Sequence, residues 1–383
     1  MFGRAIPLFK LMGFEVRLDA SWIILAFLIT WSLAVGYFPA ANPGLPREDY
    51  WAMAVVAALA LFLSIVVHEF AHSVVARSQG LPMRGITLFV FGGVAEMGGE
   101  PQSAGVEFWM AIVGPLTSVV IGVVSYLVYF ATRSTWPAPV VGVIHYLGWI
   151  NLLLAVFNSI PAFPLDGGRV LRSVIWHYQR DLLRATRIAA GVGAGFGALL
   201  MALGVFELFA GGFVTAVWWF VLGIFLRGAA QQSLQQLMIQ RALQGEPVSR
   251  FMNTHPITVP PNISVEDLIQ DYIYRFHHKM FPVVTDTSRL AGCISTDEIR
   301  SIPREEWRQH SVQELMRPCS DENTITSDTN AVSALSKMSQ SGLSRLLVVE
   351  NGQLLAIVAL RDLLDFLSLK MDLESGSRLR LQP

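Results

Sequence analysis

The chain has 383 residues, room for two or three domains, and is 53% hydrophobic but only 15% charged, well below the roughly 25% of soluble domains. Its net charge of −1 gives no pointer to nucleic acid or an acidic partner, and its two cysteines, Cys293 and Cys319, both in the second half, suggest no disulfide framework or Cys-based metal site. Long uncharged runs dominate up to about Arg227, and from about Gln231 onward the composition is that of an ordinary soluble protein.

Arg4 and Lys10 precede a first uncharged run, 20–38, which is broken by Trp22, Trp31 and Tyr37 and followed by no small-residue cleavage site; it reads as a retained membrane anchor, not a signal peptide. A second run, 50–67, leads directly into His68-Glu69-Phe70-Ala71-His72, the pattern HExxH. On a helix, residues i and i+4 stand on one face about 5–6 Å apart, so both imidazoles can grip one Zn²⁺. Glu69 then stands where a carboxylate can take the proton of a metal-bound water. Ionisable groups at the end of a membrane span are costly and mark function by default.

"GITLFVFGGVAEMGGEPQ" (85–102) is apolar, β-prone and glycine-rich, yet too short and broken to span. A re-entrant hairpin buried against protein is expected, since unpaired backbone cannot face lipid. Its exposed edge can accept an extended peptide by strand addition. Uncharged runs at 108–132 and 138–165 provide two further spans, and the second ends in "NSIPAFPLDGGR" (158–169), where Pro161 and Pro164 break the helix and Gly167-Gly168 permit a sharp turn.

A catalytic zinc takes three protein ligands. The remaining candidates in this half are His145, Glu96, Glu100, Asp166 and Glu207, and depth selects Asp166. A helix rising 1.5 Å per residue from Tyr50 crosses a 30 Å core in about 20 residues, near residue 70; the fourth span, running the same way from about Val141, is spent near Pro161. His68, His72 and Asp166 thus reach one level. His145 lies four or five turns away along the same helix and reads as a packed side chain. The region 188–226, broken only by Glu207 and the Gly211-Gly212 pair, has the length of a helical hairpin, giving about six spans in all. Basic residues crowd the loops on the side of the amino terminus, whereas the opposite loops hold only Arg47 and Arg133. The amino terminus and the soluble half are therefore expected in the cytoplasm.

Residues 227–246 read as a helical linker, after which a unit repeats with a period of about 64 residues. "VSRFM" (248–252) matches "VQELM" (312–316), and "FPVVTDTSRLAGCISTDEI" (281–299) matches "LLVVENGQLLAIVALRDLL" (346–364). Each unit reads as helix, strand, strand, helix. The expected organisation is a transmembrane domain over 1–230, a linker over 231–246, repeats at 247–305 and 306–370, and a tail over 371–383. The fold class is a polytopic α-helical membrane protein with a re-entrant β-hairpin, followed by a cytoplasmic α/β tandem module.

HEFAH followed about a hundred residues later by "FNSIPAFPLDGGR" resembles the site-2 protease family of intramembrane zinc metalloproteases, over roughly residues 15–230. The resemblance implies His68, His72 and Asp166 as ligands of one zinc, Glu69 as general base, and Asn158 as a contact to the substrate backbone or the developing oxyanion. "GGVAEM" (92–97) and Gly114-Pro115 fit further landmarks of that family. Some members carry an asparagine shortly after the latter; here Thr117 and Ser118 occupy the region, a departure that bears on substrate contacts and not on the metal. The implied substrates are single-span membrane proteins, cut near the cytoplasmic face of a bacterial inner membrane and in contact with its lipid.

The repeated unit resembles a CBS domain, two of which form a Bateman module, over about 247–370. That family binds adenine nucleotides with a Ser/Thr and an Asp three residues later. Here the first repeat has Ser295 with Glu298, and the second has Asp362 but Ala359 where the hydroxyl belongs. Two roles stay open for the pair: a nucleotide site that uses Ser295, Glu298 and Asp362, or a ligand-free module that regulates or joins two copies into a homodimer. Two other readings of the whole chain are a transporter or channel gated by that pair, and a catalytically inactive scaffold.

Overall fold

The computed structural model describes residues 6–81, 83–89, 92–97, 100–285 and 289–378 and divides into two compact units, Met1–Gln235 and Gln236–Pro383.

Six helices in the described residues are long and apolar enough to cross a membrane: α1 (Ser21–Ala41), α2 (Arg47–Ser78), α3 (Ala104–Thr132), α4 (Ala138–Asn158), α6 (Leu182–Phe209) and α7 (Phe213–Leu243). The short amphipathic α5 (Asp166–Gln179) lies between the fourth and fifth of these. Large apolar side chains stay exposed along the six, among them Ile24, Leu63, Leu127 and Phe206, as a lipid-facing surface requires. The expected count of spans holds, but their ends move. The second helix continues to Ser78 through both histidines, and the fourth stops at Asn158, well short of residue 165, because Pro161 and Pro164 cannot continue it. The α2 terminus is built by Gly80, at φ +77°: its N–H donates to the Arg77 carbonyl and that of Leu81 to the Ala76 carbonyl. The α6–α7 hairpin turns in the same way at Gly211, φ +90°, with Gly211 donating to Leu208 and Gly212 to Glu207.

The expected β-hairpin forms from β3 (Met83–Phe89) and β4 (Gly92–Met97), but it is half of a larger sheet. Residues before the first span form β1 (Ile6–Leu11) and β2 (Phe14–Leu18), and the order is β1-β2-β3-β4 with β2 parallel to β3. The alternation Phe14, Val16, Leu18 against Glu15, Arg17 drives this: Val16 is fully buried against Val66, Trp22, Phe62 and Phe70 of the first two helices. Arg77 closes the contact, donating from Nη1 to the Met12 carbonyl at 2.7 Å while its guanidinium lies 5.2 Å from the Phe14 ring centre.

The second unit contains two three-stranded sheets in its described residues. The first is β5 (Met280–Val284), β6 (Leu290–Ser295) and β7 (Arg317–Pro318); the second has the order β10 (Gln353–Ala359), β9 (Arg345–Glu350), β8 (Thr324–Ile325). Helices α8 (Ala331–Ser341) and α9 (Leu360–Arg378) complete the second layer. The cores do not follow the sequence repeat. Leu243, Val248 and Phe251, which precede the first repeat's strands, pack with Ile325, Leu346, Val348 and Leu363 of the second. Val312, at the head of the second repeat, packs with Val259, Phe281 and Ile294 of the first. Backbone hydrogen bonds seal both exchanges, Val248 N–H to Thr329 O and Val312 N–H to Ile263 O. The end of the supposed linker, at Leu243, is thus a core element.

Candidate metal centre

Helix α2 holds His68 and His72 one turn apart, their ring centres 4.9 Å from each other. Asp166 approaches from the first residue of α5. Its Oδ2 stands 3.1 Å from Nε2 of His68 and 3.2 Å from Nε2 of His72, and the two Nε2 atoms are 3.2 Å apart. A tetrahedral zinc with bonds near 2.0–2.1 Å separates its ligand atoms by about 3.3 Å, so this triangle has the right size. Among the described residues no other group of three His, Cys, Asp or Glu side chains converges in this way.

The chemistry of the donors fits as well as their spacing. His72 Nδ1 lies 2.5 Å from the Met110 carbonyl, which can only accept. A proton therefore sits on Nδ1, and in the neutral imidazole Nε2 presents its lone pair to the centre. His68 Nδ1 shares a hydrogen bond with Ser118 Oγ at 2.9 Å. A buried carboxylate oxygen and two imidazole nitrogens converging on one point make a donor set that fits a cation. Room for it is kept by Gly114 of α3, where a Cβ would come within 2.7 Å of His68 Nε2 and closer still to His72 Nε2.

The Gly-rich stretch after Asp166 does not make the turn its composition predicts. Gly167 and Gly168 are helical, in the first turn of α5, and no positive φ is found there. Their missing side chains instead admit the preceding loop: a Cβ on Gly167 would strike the Ser159 carbonyl, and one on Gly168 the backbone of Phe163. That loop is how the broken span brings Asp166 back to the histidines.

Other expected residues fall as follows. Glu69 is half-buried, within electrostatic reach of His68, His72, Asp166 and Arg169. Asn158 is the last residue of α4 and half-buried, and its side chain makes no hydrogen bond among the described residues, so it does not cap the helix. His145 packs against Tyr126 and Tyr129, at 5.7 and 4.9 Å between ring centres. Glu100 pairs with Arg172 at 3.2 Å and Glu207 sits beside Gly212 at the α6–α7 turn; the side chain of Glu96 lies outside the described residues. Ser118 corrects the sequence reading: it meets a histidine of the triad, whereas Thr117 spends its hydroxyl on the Val113 carbonyl at 2.8 Å. Sequence reasoning also missed the Met110 carbonyl and a buried ion pair of Glu107 with Arg172. Only Glu107, a lone charge opening an otherwise uncharged helix, left a signal.

In the second unit, Ser295 and Glu298 bond each other. The Ser295 hydroxyl donates to Glu298 Oε2, and its N–H does so at 2.8 Å, while Arg317 pairs with Oε1. Burial would raise the Glu298 carboxyl, but the Ser295 bonds and the Arg317 charge hold it below the usual range. Asp362 likewise accepts from its own helix start, the Ala359 N–H, at 3.2 Å.

Comparison with known proteins places these features. The model of peptidase family M50 matches residues 56–134 and 131–203, and that of the CBS domain matches 248–305 and 312–369. The "Putative zinc metalloprotease Rip3" of Mycobacterium tuberculosis is 34% identical over 94% of this chain and 91% of its own. The "Zinc metalloprotease MJ0392" of Methanocaldococcus jannaschii is 28% identical over 95% and 96%. Among solved structures, the site-2 protease of Methanocaldococcus jannaschii is 30% identical, covering 60% of this chain and 94% of its own with a TM-score of 0.43.

Proposed function

The chain belongs to peptidase family M50 and is a zinc metalloprotease with a tandem CBS pair, and from this we propose that it hydrolyses a peptide bond of single-span membrane proteins at the triad of His68, His72 and Asp166. The observation that carries the proposal is the convergence of two Nε2 atoms and one carboxylate oxygen, all within 3.1–3.2 Å of one another. His68, His72 and Asp166 would hold one zinc per chain.

When bound, zinc supplies Lewis acidity to the scissile carbonyl and makes water a competent nucleophile near neutral pH. Glu69, next to His68, takes the proton of the attacking water on its carboxylate and hands it to the departing amine. The Nδ1 bonds of both histidines, to Ser118 and to the Met110 carbonyl, keep the two imidazoles from turning away. Asn158, whose side chain makes no hydrogen bond among the described residues, can accept from or donate to the backbone of an unwound substrate. An extended substrate segment can pair with an edge of the four-stranded sheet.

The distribution of basic residues supports a cytoplasmic amino terminus and CBS pair, with cleavage near that face of an inner membrane and lipid around the six helices. Residues 231–246 would then link the spans to the pair, which regulates activity or joins two copies. Because Glu298 and Asp362 are already engaged at their own helix starts, the ligand-free role is favoured over an adenine nucleotide held by Ser295, Glu298 and Asp362. Titration of ATP or AMP by calorimetry separates the two, since heat of binding would require those bonds to open.

Glu69→Gln tests the mechanism. The variant should retain zinc, measured by atomic spectroscopy, and lose cleavage of a single-span substrate in detergent by at least about 10²-fold, the scale of a lost acid–base group. Cleavage at the wild-type rate would sink the assignment of Glu69.

A further inference from the structure

Helix α3 turns one stripe toward the metal centre. Glu107, Met110, Gly114 and Ser118 are spaced three, four and four residues apart, so they line one face. Three of them serve the histidines: the Met110 carbonyl accepts a hydrogen bond from His72 Nδ1–H, Gly114 leaves space at both Nε2 atoms, and Ser118 meets His68. The fourth, Glu107, is fully buried and faces α5, where it accepts from Nε of Arg172 at 2.5 Å.

Arg172 is itself buried, 4% exposed, and its Nη2 reaches both Glu107 and, at 3.2 Å, Glu100. Its guanidinium carbon lies 5.3 Å from the centre of the Phe163 ring. Phe163 belongs to the loop that delivers Asp166, and Asp166 opens the helix on which Arg172 stands. Helix α5 is therefore held at two points, by Asp166 at its first residue and by Arg172 about 9 Å further along its axis.

Apolar side chains of like volume can stabilise a buried contact as well as an ion pair does. What the planar guanidinium adds is direction, since its rigidly spaced Nε and Nη2 both converge on Oε1 of Glu107 while Nη2 also reaches Glu100. We propose that the Glu107–Arg172 pair is a positioning device for the metal centre, fixing the roll and height of α5 against α3 so that the Asp166 carboxylate meets both histidines. The two are positioning residues and touch neither metal nor substrate. The inference rests on the reading of His68, His72 and Asp166 as zinc ligands.

The test uses the full chain in detergent. Zinc affinity is measured by competition with a chromophoric chelator, the visible spectrum of the cobalt-substituted protein reports ligand geometry, and the thermal midpoint reports the fold. Glu107→Gln keeps the shape and removes the charge; the double variant Glu107→Leu/Arg172→Met replaces the pair by apolar packing. The double variant should keep a midpoint close to that of the wild type yet hold zinc about 10- to 100-fold more weakly, the range for residues that orient metal ligands. Its cobalt spectrum should shift, and Glu107→Gln should fall between. Unchanged zinc affinity and spectrum in folded variants would overturn the proposal. So would the failure of both variants to fold, since the pair would then serve the fold and not the metal. Wild-type protein that takes up no zinc would instead remove the metal-centre reading beneath it.

Discussion

A single methyl group at position 114 would occupy the space between the two histidines. The Cβ of Gly114→Ala falls within 2.7 Å of His68 Nε2, and the imidazoles cannot yield, because each is tethered through Nδ1 to the same helix. Alanine is the better helix former by up to about 1 kcal/mol, but the clash with both imidazoles outweighs that gain. We expect Gly114→Ala to lower the thermal midpoint and zinc content to fall to a small fraction of one per chain; full occupancy would show that the donors do not converge there. Ser118→Ala, which removes only a hydroxyl, should weaken zinc about tenfold. The contrast shows what could be read at this scale without coordinates. His68 and His72 are legible because a helix fixes i and i+4 covalently. Met110 and Ser118 lie 38 and 50 residues from the histidines they orient, a relation set by packing alone. Ser118 was accordingly assigned to the substrate side from its place after Gly114-Pro115.

Among the elements, the helical hairpin is legible because 188–226 is too long for one span and is interrupted by Glu207 and the Gly211-Gly212 pair, and the positive φ of Gly211 agrees. The strands β1 and β2 were not, although Phe14, Val16 and Leu18 alternate with charge, because five residues are a weak signal beside a basic flank that already explains itself. The Gly167-Gly168 pair was read correctly as special and wrongly as a turn: what it permits is the approach of the broken span to α5. This yields a prediction at the scale of the element. In Gly168→Ala the added methyl meets the backbone of Phe163, which cannot swing aside as a flexible side chain would. The expected cost is about 1–3 kcal/mol, with zinc affinity reduced because the loop carries Asp166. Gly191→Ala in α6, with open space around it, is the control and should be neutral or slightly stabilising. Equal midpoints and equal zinc in the two variants would contradict the packing role.

For the whole molecule, the composition break near residue 230 and the internal repeat were enough to expect a membrane half and a paired soluble half. The repeat could not reveal that the two copies exchange their leading segments, since sequence similarity aligns like with like whereas packing joins Leu243, Val248 and Phe251 to the second copy's strands. The exchange makes the end of α7 part of a soluble core and gives a prediction about how damage spreads. Leu243 is 1% exposed, and Leu243→Ala leaves a cavity worth about 2–5 kcal/mol in that core. His68, His72 and Asp166 belong to the other compact unit, where Val16, Val66, Phe38 and Tyr146 form separate clusters. Thermal unfolding followed by circular dichroism should therefore show a lowered transition for the CBS pair, while zinc content and the cobalt spectrum stay those of the wild type. Coupled loss of zinc in Leu243→Ala would mean that the pair's stability reaches the metal centre, and the pair would then have to be counted as part of the catalytic machinery.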